Sequence, residues 1–230
     1  MNNNFSFYKA PITNVVPVCK VSLREVYELI ISDKYYAVTC ELRRLYQCDR
    51  AGYAALKKRS LDFVTFACQS YRRGPQGLEH LSGYLCLDID HVGSEELLQH
   101  LKQCFVTDPV LGVRLIFRSP SGDGFKVIIQ LQQTTIDTIN RHHNPVEMYR
   151  LYYEHIRSYV SRTYGILVDH TSDLQRACFL CYDEDAYFDE TERNGFSLEM
   201  PTLMLNQTNS LKHYDVHKVK DAMTLSASQS

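Results

Sequence analysis

Residues 84–90, YLCLDID, are apolar or aromatic as far as Leu87 and then read aspartate, isoleucine, aspartate. On a β-strand successive side chains point to opposite faces, so Leu85, Leu87 and Ile89 share one face while Tyr84, Cys86, Asp88 and Asp90 share the other. Two carboxylates on neighbouring same-face positions repel each other unless a cation stands between them. The strand therefore either ends in solvent, with the pair incidental, or the pair is built to hold a metal.

The flanking sequence sets that strand in a larger unit. Ser94 caps a helix over 94–105, SEELLQHLKQCF, with two glutamates in its first turn, where the helix dipole favours them. GVRLIFR (112–118) reads as a strand, SPSGDG (119–124) as a turn and FKVIIQLQ (125–132) as the returning strand. A long helix follows over 144–165, with Asn144 as N-cap, Pro145 at the first helical position and Gly165 just past the end. ACFLCYD (177–183) closes the series as a strand.

The order β-α-β-β-α-β over about residues 83–183 predicts an α+β class with a ferredoxin-like core. In such a unit the first and third strands are antiparallel neighbours, and the fourth flanks the first. Lys126, Ile128, Gln130 and Gln132 then fall on the aspartates' face. The end of the first strand, the 119–124 turn and the approach to the last strand should meet at one sheet edge.

Before this core, SLREVYELI opens with a capping box, Ser22 with Glu25. Helices are expected over 36–47 and 50–59, a strand over 61–68 and a loop over 72–77. Residues 1–80 should pack beside the polar face and form one wall of a cleft. One domain over 1–205 is expected, with its catalytic-type core at 81–205 and a polar, partly disordered tail at 206–230.

With 44% hydrophobic and 23% charged residues, the chain of 230 has the material for a globular core. No run is long and apolar enough to span a membrane, and MNNNFSFYKAP lacks a signal peptide's apolar middle. The expectation is a cytoplasmic protein without a membrane partner. The eight cysteines are scattered and do not read as a disulfide set; the Cys178–Cys181 pair reads as half a zinc site or as buried thiols, and its spacing in a strand, which points the sulfurs to opposite faces, favours the thiols. A net charge of −2 excludes a uniformly basic nucleic-acid coat. Residues 41–76 nevertheless carry eight Lys/Arg against three Asp/Glu, including Arg43, Arg44, Lys57, Lys58, Arg72 and Arg73. Such a stripe is either a solvated face or a track for a polyanion.

Three groups carry the candidate chemistry. Asp88 and Asp90 end the first strand. Ser119, Ser121, Gly122 and Gly124 shape a turn whose amides and hydroxyls suit phosphate oxygens, with Lys126 one step beyond. LVDHTSDLQR supplies Asp169, Asp173 and Arg176. Carboxylates hold Mg²⁺ or Mn²⁺ through hard oxygens, and cations offset the charge of a transferring phosphoryl group. Singly, these stretches read as a solvated strand end, a hairpin turn and a capped turn with a salt bridge; their convergence argues for a site.

Together SGYLCLDIDHV, FRSPSGDGFKVIIQL and DHTSDLQRACFLCYDEDAYF resemble the motifs of the archaeo-eukaryotic primase superfamily, and most of all the VirE N-terminal-type domain of mobile-element primase–helicase proteins. The resemblance implies Asp88, Asp90 and Asp169 as metal ligands and Ser121, Lys126 and Arg176 as contacts to a nucleoside triphosphate. It also implies nucleotidyl transfer on a DNA template, with any helicase a separate partner, since no GxxxxGK[ST] occurs. Polymerases of that superfamily usually have His at the position of Lys126, which leaves phosphate binding better supported than polymerisation. The competing readings are a single-stranded nucleic-acid-binding module without chemistry and a metal-dependent nuclease.

Overall fold

A computed structural model describes residues 3–74, 76–170, 172–191 and 195–196. The tail expected at 206–230 lies outside them. The chain opens with two short antiparallel strands, β1 (Phe5–Tyr8) and β2 (Cys19–Val21), with Phe5 opposite Val21. Helix α1 (Leu23–Ile31) starts where the sequence puts its capping box: the Ser22 hydroxyl accepts the Glu25 amide, and the Glu25 carboxylate accepts the Ser22 amide at 2.7 Å. Two otherwise orphaned donors are thereby satisfied, and Leu23, Val26 and Ile30 turn inward.

Helices α2 (Tyr36–Cys48) and α3 (Arg50–Ser60) are separated by Asp49, whose carboxylate caps α3 by accepting the Gly52 amide. The stretch 61–68 is not one strand. It splits into β3 (Phe63–Thr65) and β4 (Cys68–Ser70) around a turn, closed by the Thr65 hydroxyl donating to the Cys68 carbonyl. Strand β5 (Leu78–Leu81) pairs with β4.

The second sheet contains the expected core. Strand β6 (Tyr84–Ile89), helix α4 (Glu95–Thr107), and strands β7 (Val113–Arg118) and β8 (Phe125–Gln130) follow in order. Helix α5 (Gln133–Arg141) intervenes before α6 (Pro145–Tyr164), which has Asn144 as N-cap and Gly165 in the left-handed conformation at its end. Strands β9 (Cys178–Phe179) and β10 (Tyr187–Phe188) complete the described elements. The sheet order is β10-β7-β8-β6, with β8 antiparallel to β6 as the sequence predicts.

The closing strand goes elsewhere. Rather than flanking β6, β9 joins the N-terminal sheet, which runs β2-β1-β3-β9. Phe63 pairs with Phe179 and Val64 with Cys178, and the Leu180 amide extends the contact to the Asp62 carbonyl. Leu180 and Cys181 are completely buried in the core that β1, α1 and α2 build, so burial pulls the strand to that side.

Face parity is as the alternation predicts. Tyr84, Leu115, Phe117 and Ile128 on one face of the second sheet pack into the cluster containing Phe5, Val26 and Leu42. The opposite face, with Leu85, Leu87, Ile89, Val127 and Ile129, is equally buried. Helices α4 and α6 meet each other through Phe105 and Tyr164, whose rings lie 5.0 Å apart. The N-terminal layer thus covers the apolar half of the aspartates' face, and the polar half opens into a cleft. Among the described residues no helix is long and apolar enough to cross a membrane.

Candidate functional site

Asp88 and Lys126 are directly opposite on β6 and β8, so their side chains leave the sheet together. Both are buried, at 8% and 9% exposed, and the Lys126 ammonium is ion-paired to Asp88 Oδ1. Burial works to lower the Lys126 pKa, but the Asp88 charge outweighs it and holds the lysine protonated well above its usual range. The cation beside the first aspartate is therefore supplied by the next strand.

A second cation arrives from the loop before β9. Arg176 Nη2 lies 3.5 Å from Asp88 Oδ2 and 3.2 Å from Asp169 Oδ2, joining the two carboxylates. The Asp173 carbonyl accepts the Arg176 amide and its carboxylate the Gln175 amide, a turn that aims the guanidinium back at β6. The Asp169 amide donates to the Asp88 carbonyl at 3.0 Å, and the Tyr153 hydroxyl of α6 holds the Asp169 carbonyl at 2.9 Å. The sequence-predicted meeting of Asp88, Lys126, Asp169 and Arg176 is present in this geometry.

Asp90 is placed differently. It lies exposed at the rim, and no ion pair or hydrogen bond reaches its carboxyl from the described residues. Surrounding protein, and then the Asp88 charge, raise its pKa above the ordinary carboxylate value. Among the described residues no group of three His, Cys, Asp or Glu side chains is assembled to hold a metal. Asp90 has lone pairs free for a hard cation, whereas Arg176 occupies the bridge between Asp88 and Asp169 that a metal would take.

The 119–124 turn is built for close packing. Gly122 has φ of +84°, and a Cβ on Gly124 would stand 2.0 Å from the Ile89 carbonyl oxygen. Only glycine lets the turn lie against the end of β6. The serines expected to face phosphate instead bond each other, Ser119 Oγ to Ser121 Oγ at 2.8 Å, and Ser121 donates to Asp123. Asp123 also accepts from the Tyr46 hydroxyl and stands 3.0 Å from His91 Nδ1. Burial works to raise the Asp123 pKa, and these hydrogen bonds bring it below its ordinary value.

A cleft of about 120 Å³ lies over this floor, lined by Lys57, Asp88, Lys126, Asp173 and Arg176 among others. Lys57 comes from α3, one turn beyond Tyr53, which is buried near Lys126 and Asp90. Among the described residues no ion pair holds Lys57, which sits 5.0 Å from the Tyr53 ring centroid. Burial, and then the neighbouring Lys126 charge, push its pKa down. Among the described residues three cations line the cleft against two carboxylates, and Lys57 is the one without an ion pair.

The other basic residues are dispersed. Arg44 is bound to Glu41 on its own helix, and Arg43 reaches the Tyr182 carbonyl at 3.3 Å beside the Gly122 turn. Lys58 and Arg72 are exposed, and Arg73 lies over the Phe63 ring. Tyr46, Tyr53, His91 and Asp123 cluster around the 119–124 turn without having been singled out in the sequence. One signal is the Tyr53–Lys57 pair, four residues apart on α3, which reads first as core. The other is His91, which takes the left-handed conformation with φ of 60° immediately after the aspartates.

Residues 56–188, more than half of the chain, match the family described as BT4734-like, N-terminal domain, and the chain belongs to that family. The match covers Lys57, the β6 aspartates, the turn, Lys126 and the Asp169–Arg176 loop. It corrects the resemblance drawn from the motifs: the family is this one, not the VirE N-terminal-type domain or the primase superfamily. No curated protein matches the chain, and no solved structure does.

Proposed function

We propose that this member of the BT4734-like N-terminal domain family binds the phosphate groups of a nucleoside triphosphate in the cleft and acts in metal-dependent nucleotidyl transfer on DNA. Lys57 carries the proposal. It is a half-buried, unpaired ammonium whose charge is disfavoured by its surroundings and by Lys126, and an anion between Lys57 and Arg176 relieves that cost.

The bridging guanidinium supplies a sequence of events. Phosphate oxygens compete for Arg176 and draw it from Asp88 and Asp169, which are left with unpaired oxygens beside Asp90. Those three carboxylates would hold Mg²⁺ or Mn²⁺, which when bound stabilises charge on the entering and leaving oxygens of phosphoryl transfer. Lys126 stays on Asp88, fixing the carboxylate and keeping positive charge on the floor. Tyr153 and the Asp88 carbonyl hold the Asp169 backbone in place.

The arrangement predicts that nucleotide and metal each promote binding of the other. Calorimetric titration of ATP and deoxy-ATP, with and without Mn²⁺, tests this. Binding should be at least about tenfold tighter with the metal, equivalent to roughly 1.4 kcal/mol. In Arg176→Ala the metal should bind without nucleotide and the synergy should disappear. A wild-type protein that takes up neither nucleotide in the presence of Mn²⁺ overturns the proposal.

A further inference from the structure

Cys86 and Cys178 meet in the wall of the same cleft. Their sulfurs are 3.9 Å apart, with the Cys86 thiol donating toward Cys178. They are 92 residues apart in sequence and stand on β6 and β9, strands of different sheets that share no ladder. A disulfide has its sulfurs about 2.05 Å apart, so about 2 Å of approach separates the pair from a bond. β9 is only two residues long and continues the loop that carries Arg176, which leaves that approach to a short piece of backbone.

The surroundings favour oxidation of this pair. The Lys126 side chain lines the cleft together with both cysteines. The Cys86 thiol donates toward the Cys178 sulfur, which makes Cys178 the attacking sulfur and leaves Cys86 beside it to resolve the product. Both line a cleft open to small solutes. The exposed thiols Cys19, Cys40 and Cys48 lie outside it.

We propose that Cys86 and Cys178 form an oxidation site at which a hydroperoxide converts the dithiol to a disulfide. The Cys178 sulfur attacks the peroxide and its O–O bond breaks. The alcohol (water, for hydrogen peroxide) departs with the thiol proton and leaves a sulfenic acid. The Cys86 sulfur then attacks that sulfur, and hydroxide leaves with the Cys86 proton as water. Two thiols and one hydroperoxide thus become one disulfide, one alcohol and one water, with two electrons passing from sulfur to oxygen.

The position gives the bond a consequence for whatever the cleft binds. Cys86 is two residues before Asp88 on the same face of β6, and Cys178 is two residues after Arg176. Joining them resets the spacing of Asp88 and Arg176, so the oxidised and reduced proteins differ at the floor of the site.

The test uses the full chain, reduced, freed of reductant and exposed to limiting hydrogen peroxide at low protein concentration. Titratable thiols should fall from eight to six, with a Cys86–Cys178 peptide as the main cross-link in a non-reducing digest. Cys178→Ser should keep its seven thiols under the same exposure; if that variant does not fold, Cys86→Ser should lose no more than the Cys178 thiol and give no cross-link at residue 178. Phenylarsine oxide, which captures paired thiols, should protect wild type from the loss. A digest without the Cys86–Cys178 peptide, whether the thiols are untouched or singly oxidised, overturns the proposal.

Discussion

Asp62 and Asp88 invite comparison because each is a buried aspartate held by two cations, at 6% and 8% exposed. Asp62 Oδ2 accepts from Lys34 at 2.9 Å, the Tyr35 hydroxyl at 2.9 Å and Lys9 at 3.2 Å, while Oδ1 accepts from the Ala10 amide at 3.0 Å. Every neighbour is a protein group, and the cluster ties the end of β1 to the approach to α2. Asp88 is also paired, but its cations face a cleft that holds a further unpaired lysine, with an unpaired carboxylate at the rim. Buried charge alone therefore does not mark a site. Excess charge facing open space does, because the protein leaves it for something else to neutralise.

Mutation separates the two clusters most sharply. Asp62→Ala strands a buried tyrosine hydroxyl and an amide, while Lys9 and Lys34 are exposed enough to rehydrate. The expected loss is about 2–3 kcal/mol, below the 3–5 of a fully buried pair. Nucleotide affinity of the folded fraction should stay unchanged. Asp88→Asn keeps the shape but leaves the buried Lys126 ammonium without its counter-charge, so its stability cost should be larger, about 3–5 kcal/mol, with metal-linked nucleotide binding lost from the folded fraction. Urea unfolding read beside the calorimetric titration checks both, and metal-linked nucleotide binding retained by folded Asp88→Asn would erase the distinction.

Sequence shows one of these clusters far better than the other. Period-two alternation put Asp88 and Lys126 on one face, and the Gly-rich turn and the 169–176 loop completed the meeting point. Asp62 sits in LDFV, where one aspartate before a strand carries no pattern, and its partners come from two distant places in the chain, Lys9–Ala10 and Lys34–Tyr35. Helix α5 was missed because Thr134, Thr135 and Thr138 weaken helix propensity, and Gln132 makes no side-chain cap. Strand β9 was assigned to the wrong sheet because local pattern carries no information about which edge buries more apolar surface. The basic stripe was legible as composition, but only the fold shows that Lys57 turns inward while Arg44 satisfies Glu41. The serines illustrate the reverse limit: the turn was read correctly, yet its hydroxyls are spent on one another and on Asp123.

Acid offers a gentler probe of the same contrast. For Asp62, burial works to raise the pKa, but the hydrogen bonds from Lys34, Ala10, Tyr35 and Lys9 leave it below the ordinary value. A depressed folded pKa means that the unfolded chain binds the proton first. The stabilisation is therefore complete above the unfolded pKa of about 4 and is lost as pH falls through the lower, folded value. The stability gap between wild type and Asp62→Asn should be constant from about pH 7 to 5 and narrow below about pH 4. A gap that does not change with pH would mean that the cluster acts through packing and not through charge.

Asp90 should show the opposite sign at the smallest scale. Its folded pKa is raised, by the surrounding protein first and by Asp88 second, so the ionised carboxylate costs stability at neutral pH and the cost fades as pH falls through the raised value. Asp90→Asn removes that charge and should stabilise the folded chain at pH 7, by no more than about 0.5 kcal/mol once solvent screening of an exposed group is counted. Mn²⁺ with nucleotide should narrow this difference in the wild type's favour, because a bound cation offsets the repulsion that the substitution removes. Thermal unfolding of both proteins, with and without metal and nucleotide, decides the point. If Asp90→Asn is destabilising at neutral pH, the rim carboxylate has a protein partner after all, and its contrast with the closed Asp62 cluster fails.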